Sequence, residues 1–366
     1  MTIAAVIVTH NRLDRLRTGL ARTFAEPFDH IVVVNCASTD GTRAYLETLT
    51  DQRLVVMHTD TNIGGAGGFN VGMTVATTIA DWVVVFDDDA WPVSGALDQF
   101  KHVRRTTNVS AIAARVEFPD GQLCEFNRPA RNPFWRLRSF VRTLFQGPRP
   151  GMYLTDAEMH QTAAPTDIDF SSFVGLFVKS QAINDVGPPD PDLFIYGDDT
   201  SFCLRLRRGG HRIVAAPKIR FIHDCPKWTD HMVFLPLWKV YYITRNSIGS
   251  IKLASAPTWF IPALIYSVTL WICRVRFYPP AHRRTYLRLL FIGLMDGLRG
   301  RLGSKPAIHD MAAPSIALTG ARSSRLVESA HSGEQHASEP NFSRRRSVKE
   351  PRLRALARIR HTDGQR

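Results

Sequence analysis

Trp82-Val83-Val84-Val85-Phe86, running straight into Asp87-Asp88-Asp89, sets the architecture of this chain. Five apolar residues in succession are too continuous for a strand with one wet face. They match a parallel strand buried on both. Working outward, the runs 3–8, 30–34 and 53–57 have the same Val/Ile-rich character, and between them 13–24, 41–49 and 69–79 show helical periodicity. Polar starts such as Ser38-Thr39-Asp40 fit helix beginnings. Alternating strand and helix predicts a doubly wound α/β sheet, which binds ligands at the carboxyl ends of its strands. Polar clusters fall at those ends: Thr9-His10-Asn11-Arg12, the segment from Asn35 to Asp40, and the three aspartates.

The charge map divides the chain. Its 366 residues hold 46 Lys plus Arg and 33 Asp plus Glu, a net of +13. Residues 1–252 carry 27 basic and 26 acidic groups, 253–273 carry none, and the surplus follows that uncharged stretch. A chain that bound nucleic acid across its main domain would carry the excess there, so no nucleic-acid partner is expected. At 44% hydrophobic and 22% charged residues, the composition is that of a globular protein. The five cysteines have no C-x-x-C spacing, which predicts reduced thiols rather than a disulfide framework or a structural zinc. The apolar run 3–8 is only a strand long and follows no basic residue, so no signal peptide is read and the main domain is expected in the cytoplasm.

Three motifs carry chemistry. Asp87-Asp88-Asp89 at a strand end is either a solvated acidic turn or a site for a divalent cation, Mn²⁺ or Mg²⁺, since crowded carboxylates repel without one. Tyr196-Gly197-Asp198-Asp199, ended by Gly209-Gly210, predicts a helix start that holds Asp199 rigidly, as a general base requires, or as a plain cap. His223, after the strand 218–222, is either structural or the imidazole that completes a carboxylate metal shell. The run from Asn62 to Asn70 fails the dinucleotide fingerprint G-x-G-x-x-G because Asn70 takes the last place, yet its four glycines let backbone approach a ligand.

Together these motifs resemble the family 2 glycosyltransferases, across about residues 3 to 304. Residues 8–12, 35–42 and 62–65 are similar to the family's opening loop, second-strand motif and glycine loop. Asp87-Asp88-Asp89 takes the place of its metal motif, 172–175 of its acceptor-side segment, 197–199 of its catalytic acid motif, and 241–246 of an aromatic-Arg-Asn element. The closing 296–303 looks like the end of bacterial rhamnosyl- and galactofuranosyltransferases.

The resemblance implies a GT-A fold, a doubly wound, Rossmann-like, mostly parallel sheet, over 1–240. A helical, membrane-associating region is expected over 241–304, and the Ser-, Arg-, Glu- and Ala-rich composition without apolar periodicity predicts a disordered basic tail over 305–366. The resemblance also implies inverting transfer from a nucleoside diphosphate sugar to a lipid-linked or cell-envelope glycan at the inner face of the cytoplasmic membrane. Asp199, with Asp198 beside it, would be catalytic. Thr9, Asn11, Arg12, Asn35, Ser38, Asp40, Asn62, Gly64, Gly65, Asp87 and Asp88 would bind the donor, and Asp87, Asp89 and His223 the metal. Asn35-Cys36 stands where the family has Asp-Asn, which leaves uridine and thymidine diphosphate sugars both open. Two other classes are weighed against this: a nucleotidyltransferase, for which no basic glycine-rich first loop is present, and a non-catalytic scaffold, against which the intact acidic residues and His223 argue.

The uncharged stretch 253–273 is about as long as the roughly 20 residues of a membrane span. A single crossing would place the following arginines outside, against the positive-inside tendency. Surface attachment, or a hairpin with 285–298, is the expectation, with the Arg- and aromatic-rich residues 128–150 either a second contact or an active-site loop.

Overall fold

The computed structural model describes residues 1–147, 152–160, 164–227 and 233–312, and Met1–Pro314 forms one compact unit. The strands are β1 (Ile3–Thr9), β2 (His30–Cys36), β3 (Leu54–Thr59), β4 (Trp82–Asp87), β5 (Ala90–Pro92), β6 (Ala111–Glu117), β7 (Thr166–Ile168), β8 (Leu176–Lys179) and β9 (Ile213–His223). The α-helices of the sheet region are α1 (Leu13–Phe24), α2 (Thr42–Glu47), α3 (Gly64–Ile79), α4 (Ala96–Thr106), α5 (Leu137–Gln146), α6 (Asp156–His160), α7 (Ser180–Val186) and α8 (Asp198–Arg208). After them come α9 (Trp238–Ala254), α10 (Phe260–Arg274), α11 (Pro280–Leu298) and α12 (Ala307–Ala312).

The strands form one sheet in the order β3-β2-β1-β4-β8-β6-β9-β5, with β7 also on β9. β3, β2, β1 and β4 are mutually parallel, as their unbroken apolar runs require. Successive side chains go to opposite faces. Ile3, Ala5 and Ile7 meet Leu16, Leu20 and Phe100 on one side, while Ala4 and Val6 meet Met73 and Ala76 on the other. β3 is half-buried along its whole length because it closes the edge. The sheet then becomes mixed, because β8 runs antiparallel to both β4 and β6.

One irregularity positions the site. β9 pairs with β6 in parallel, but Ala114 faces Ala216 whereas Arg115 faces Arg220, so Pro217, Lys218 and Ile219 are extra. Beyond this bulge β9 pairs with β5, with Ala90 opposite His223. The imidazole is thereby delivered beside the aspartates that precede β5.

The glycine run departs from expectation. The helix begins at Gly64, not at residue 69, so the supposed loop is the first turns of α3. A Cβ on Gly72 would lie 2.4 Å from Val6 Cγ1, so glycine is what lets this helix settle onto β1.

In the C-terminal region α9 packs on α8 and α11 packs on α9, where Gly297 meets the Arg245 carbonyl. The uncharged stretch is divided: α9 ends at Ala254, and Pro257 opens a separate helical run, Pro257–Phe277, of 21 residues, of whose apolar window 6% is buried. The first residues of the expected tail are packed down. Lys305 donates Nζ to Asp296 at 2.5 Å and its backbone N–H to Tyr242 Oη at 2.9 Å, and Ile308 in α12 is fully buried. The rest of that segment, 313–366, lies outside the described residues, as does Arg149.

Candidate active site

The site is a cleft of about 580 Å³ over the carboxyl ends of β1 and β4, closed by the start of α8, the end of β9 and the start of α9. Asp87, Asp89, Asp198, Asp199 and His223 all line it, with Arg12 and Gly65. Three motifs about 110 and 25 residues apart in sequence thus meet in one place.

Its floor is electrostatically crowded. His223 Nε2 stands 3.2 Å from Asp89 Oδ1 and 3.9 Å from Asp87 Oδ2. The other ring nitrogen, Nδ1, lies 2.7 Å from Asn127 Oδ1, and Asn127 Nδ2 in turn donates to Ser172 Oγ at 2.8 Å. With Nδ1–H committed to Asn127, Nε2 is the nitrogen presented to the carboxylates. Arg12 is clamped between Asp88, at 2.9 Å, and Asp89. Asp87 is 43% exposed into the cleft, yet enclosure raises its carboxyl to about 6, with His223 the main counterweight. Burial would lower His223, but Asp89, Cys225 and Asp87 outweigh it and lift it to about 10. Without a cation, the floor is neutralised from within by imidazolium and guanidinium.

A divalent cation fits these residues. The ligand atoms of Asp87, Asp89 and His223 lie within 4.8 Å of one another, and buried Asp89 Oδ1 receives no hydrogen bond among the described residues. Two carboxylates and an imidazole are a donor set for Mn²⁺ or Mg²⁺. Cys124, His223 and Cys225 form a second, softer cluster around the same ring, with the two Sγ atoms 4.0 Å apart.

The opposite wall is the start of α8. Gly197 at φ +79° turns the chain so that Asp198 and Asp199 begin the helix, and Gly209 caps its end. Asp199 Oδ1 accepts from the Thr200 N–H at 2.5 Å and from Thr200 Oγ1 at 3.2 Å, both bonds falling on that one oxygen. Burial raises both carboxyls, Asp198 to about 8 with help from the Asp199 charge. A raised carboxyl is a better proton acceptor.

The preceding loop is strained, with Phe194 at φ +64° and Tyr196 at φ +67°. Buried Asn246 holds it there, donating Nδ2 to the carbonyls of Leu193, Ile195 and Tyr196 at 3.0, 2.9 and 2.7 Å. Arg245, 1% exposed, adds Nη2 to Leu193 O at 2.8 Å and Nη1 to Gly303 O at 2.5 Å. The aromatic-Arg-Asn element and the closing segment therefore brace the loop that aims Asp199.

The remaining residues expected on the donor do not line the cleft; they bond mainly to one another. Thr9 Oγ1 donates to Asp88 Oδ2 at 2.8 Å, which leaves Asp88 2% exposed and turned from the cleft. Asn11 Oδ1 accepts from the Thr39 N–H at 2.6 Å, and Ser38 Oγ from the Asn11 N–H at 2.9 Å. Asp40 receives the Leu13 N–H at 2.9 Å and Thr42 Oγ1 at 2.6 Å, which secures the starts of α1 and α2. Asn35 Oδ1 accepts from the Ser38 N–H at 3.1 Å while Nδ2 meets His58 Nδ1 at 3.1 Å. Asn62 Oδ1 accepts from the Gly64 N–H at 2.9 Å. Gly64, at φ +71°, lies against the Phe194 carbonyl, which a Cβ would meet at 2.0 Å, and that carbonyl takes the Ala66 N–H at 3.1 Å. The Ala66 amide at this helix start is thus spent on protein, and Gly65 is the glycine of the run that opens on the cleft.

Sequence reasoning missed Asn127, which orients His223, and Lys239, which lines the cleft. Burial and the nearby Arg12 charge lower the Lys239 ammonium, a sign that the two cations share the site. An isolated Asn, or a Lys at a helix start, carries no signal in one sequence.

A floor whose donor set fits a divalent cation, an aspartate at a helix start opposite it and the cations Arg12 and Lys239 in the same cleft are the parts that a nucleotide-sugar glycosyltransferase needs. Residues 4–153 match the family described as glycosyl transferase family 2. The chain is similar to galactofuranosyltransferase GlfT1 of Mycolicibacterium smegmatis, 28% identical over 230 residues that cover 61% of this chain and 71% of the relative. GlfT1 of Mycobacterium tuberculosis is 28% identical over 239 residues, covering 61% and 70%. Among solved structures, the mannosyltransferase PcManGT from Pyrobaculum calidifontis, in complex with GDP-Man and Mn²⁺, has a TM-score of 0.47 at 19% identity, covering 85% of this chain and 78% of that one. S. aureus TarS has a TM-score of 0.49 at 14% identity, covering 82% and 54%.

Proposed function

We propose that the enzyme is an inverting, divalent-cation-dependent galactofuranosyl- or rhamnosyltransferase. Its donor would be a uridine or thymidine diphosphate sugar and its acceptor a lipid-linked or cell-envelope glycan. The observation that carries this reading is the meeting of Asp87, Asp89 and His223 with Asp199 across a single cleft. The similarity to GlfT1 favours galactofuranose.

Asp87, Asp89 and His223 would hold Mn²⁺ or Mg²⁺, which when bound offsets the charge of the departing diphosphate. Arg12 and Lys239, which both line the cleft, would meet the diphosphate oxygens. The polar rim from Asn11 to Asp40, at the ends of β1 and β2, would flank the nucleoside. Asp199 would take the proton of the acceptor hydroxyl as that oxygen bonds to the anomeric carbon and the bond to the phosphate oxygen breaks. A single displacement inverts the anomeric configuration and requires no protein nucleophile. The acceptor class and the charge map support a cytoplasmic protein held on the inner membrane surface through the region after residue 253.

The test is transfer from UDP-galactofuranose and dTDP-rhamnose to a synthetic lipid-linked acceptor, with Mn²⁺ and with chelator. Turnover with one donor, lost on chelation and in Asp199→Asn, supports the reading. Cation-independent turnover overturns the metal assignment, and no turnover with either donor overturns the sugar assignment.

A further inference from the structure

The Arg-rich segment 128–147 and the apolar run after residue 253 lie far apart in sequence, yet the fold packs them together. The inner face of α5 places Phe140 against Trp259 and Tyr266, with ring centroids 6.3 and 6.2 Å apart, and Tyr266 Oη donates to Thr143 O at 3.4 Å. Ala263 of α10 is fully buried in the same cluster with Phe134 and Ile251. The two helices are thus fixed to the body and to each other by their inner faces.

Their outer faces are apolar. On α5, Leu137, Val141, Leu144 and Phe145 recur at helical spacing and are exposed, Phe145 to 87%. On α10, Ile261, Ile265 and Ile272 follow suit, the first two 57% and 61% exposed. Several exposed apolar side chains of this size on two adjoining helices are unusual on a soluble surface and mark a contact site.

The charges around this face identify the contact. Residues 132–147 hold three arginines and 253–295 hold five, with no Asp or Glu in either stretch. Arg136, Arg138 and Arg142 are exposed on α5, as are Arg276, Arg283 and Arg284 beyond α10. A second copy of the chain would bring the same positive charge to the contact, whereas an anionic lipid surface complements it.

We infer that α5 and α10 together form one docking surface for an anionic bilayer, each laying its apolar face into the interface while the flanking arginines meet headgroups. This rests on the membrane-surface part of the proposed function and extends it to α5, independently of the sugar transferred. Tyr286 Oη, 2.6 Å from the Trp271 carbonyl, and buried Ala263 keep α10 on the body, in the posture of a helix lying on a membrane.

The experiment is flotation of the full chain with vesicles of phosphatidylcholine alone or in equal parts with phosphatidylglycerol, at low and high salt. Wild type, Phe145→Ser and Ile265→Ser are compared, and turnover with a soluble acceptor analogue is measured alongside. Both changes are at exposed positions, so folding is spared. Wild type floats more with anionic vesicles and less at high salt, and each variant lowers partitioning about tenfold, the burial of one large apolar side chain. Unaltered flotation of Phe145→Ser removes α5 from the surface. A concentration-dependent dimer dispersed by Phe145→Ser would assign the face to a second copy and overturn the proposal. Loss of turnover in wild type with flotation intact would strike the catalytic reading alone.

Discussion

The floor and the rim of the cleft are both built from polar residues at strand ends, and they differ in how far the protein satisfies them. On the rim, Asn11, Asn35, Ser38 and Asp40 spend their hydrogen bonds on each other and on helix starts. Inside the cleft, Asp87 on the floor and Asp198 and Asp199 on the facing wall are crowded, and enclosure pushes their carboxyls upward. Titratable groups crowded in a cleft by their own protein mark a functional-site candidate.

Four changes would break or sharpen that contrast. The largest effect belongs to Asp89→Ala, which takes a ligand from the floor and leaves Arg12 and His223 without their shared partner. Cation-dependent binding of nucleoside diphosphate should vanish in calorimetry, and retained cation dependence would remove Asp89 from the metal site. Next comes Asp199→Asn, in which turnover should fall by about 10²-fold or more while nucleotide affinity holds, since the proton acceptor alone is lost. Near-normal turnover at saturating acceptor would shift the base to Asp198.

The third change concerns pH. Asp198 has its folded carboxyl raised to about 8 by burial. The folded state therefore binds a proton that the unfolded chain has released, and stability falls as pH climbs from about 4 toward 8. Asp198→Asn should melt above wild type at pH 8 in cation-free buffer, with the gap closing toward pH 4. A gap that does not depend on pH would show Asp198 to be solvated.

The smallest effect tests the rim. Asp40→Ala should cost about 1–2 kcal/mol in denaturant unfolding, the value of a lost helix cap, with nucleotide affinity unchanged. Weaker affinity without lost stability would place Asp40 on the donor.

Where burial dictates the pattern, the sequence was readable. The ranges 3–8, 30–34 and 82–86 lie within β1, β2 and β4, and 13–24 is α1, because a two-sided core leaves little choice of residue. The motifs at 87–89, 198–199 and 223 stood out because acidic residues at a strand end or helix start demand an explanation. What stayed hidden depends on partners remote in sequence. Gly64 to Gly68 read as a loop by intrinsic propensity, although packing on β1 makes them helix. The antiparallel β8 is too short to announce its direction. Nothing local distinguishes Asn35, bonded to Ser38 and His58, from an asparagine awaiting a base.

The bulge in β9 makes the active site a matter of arithmetic. Val214 and Ala216 before it and Ile219 and Phe221 after it lie in one core cluster, so the extra residues reverse the strand's alternation. A regular strand would turn Phe221 and His223 to the face opposite Ala216. The cleft therefore depends on an irregularity that none of its lining residues supplies.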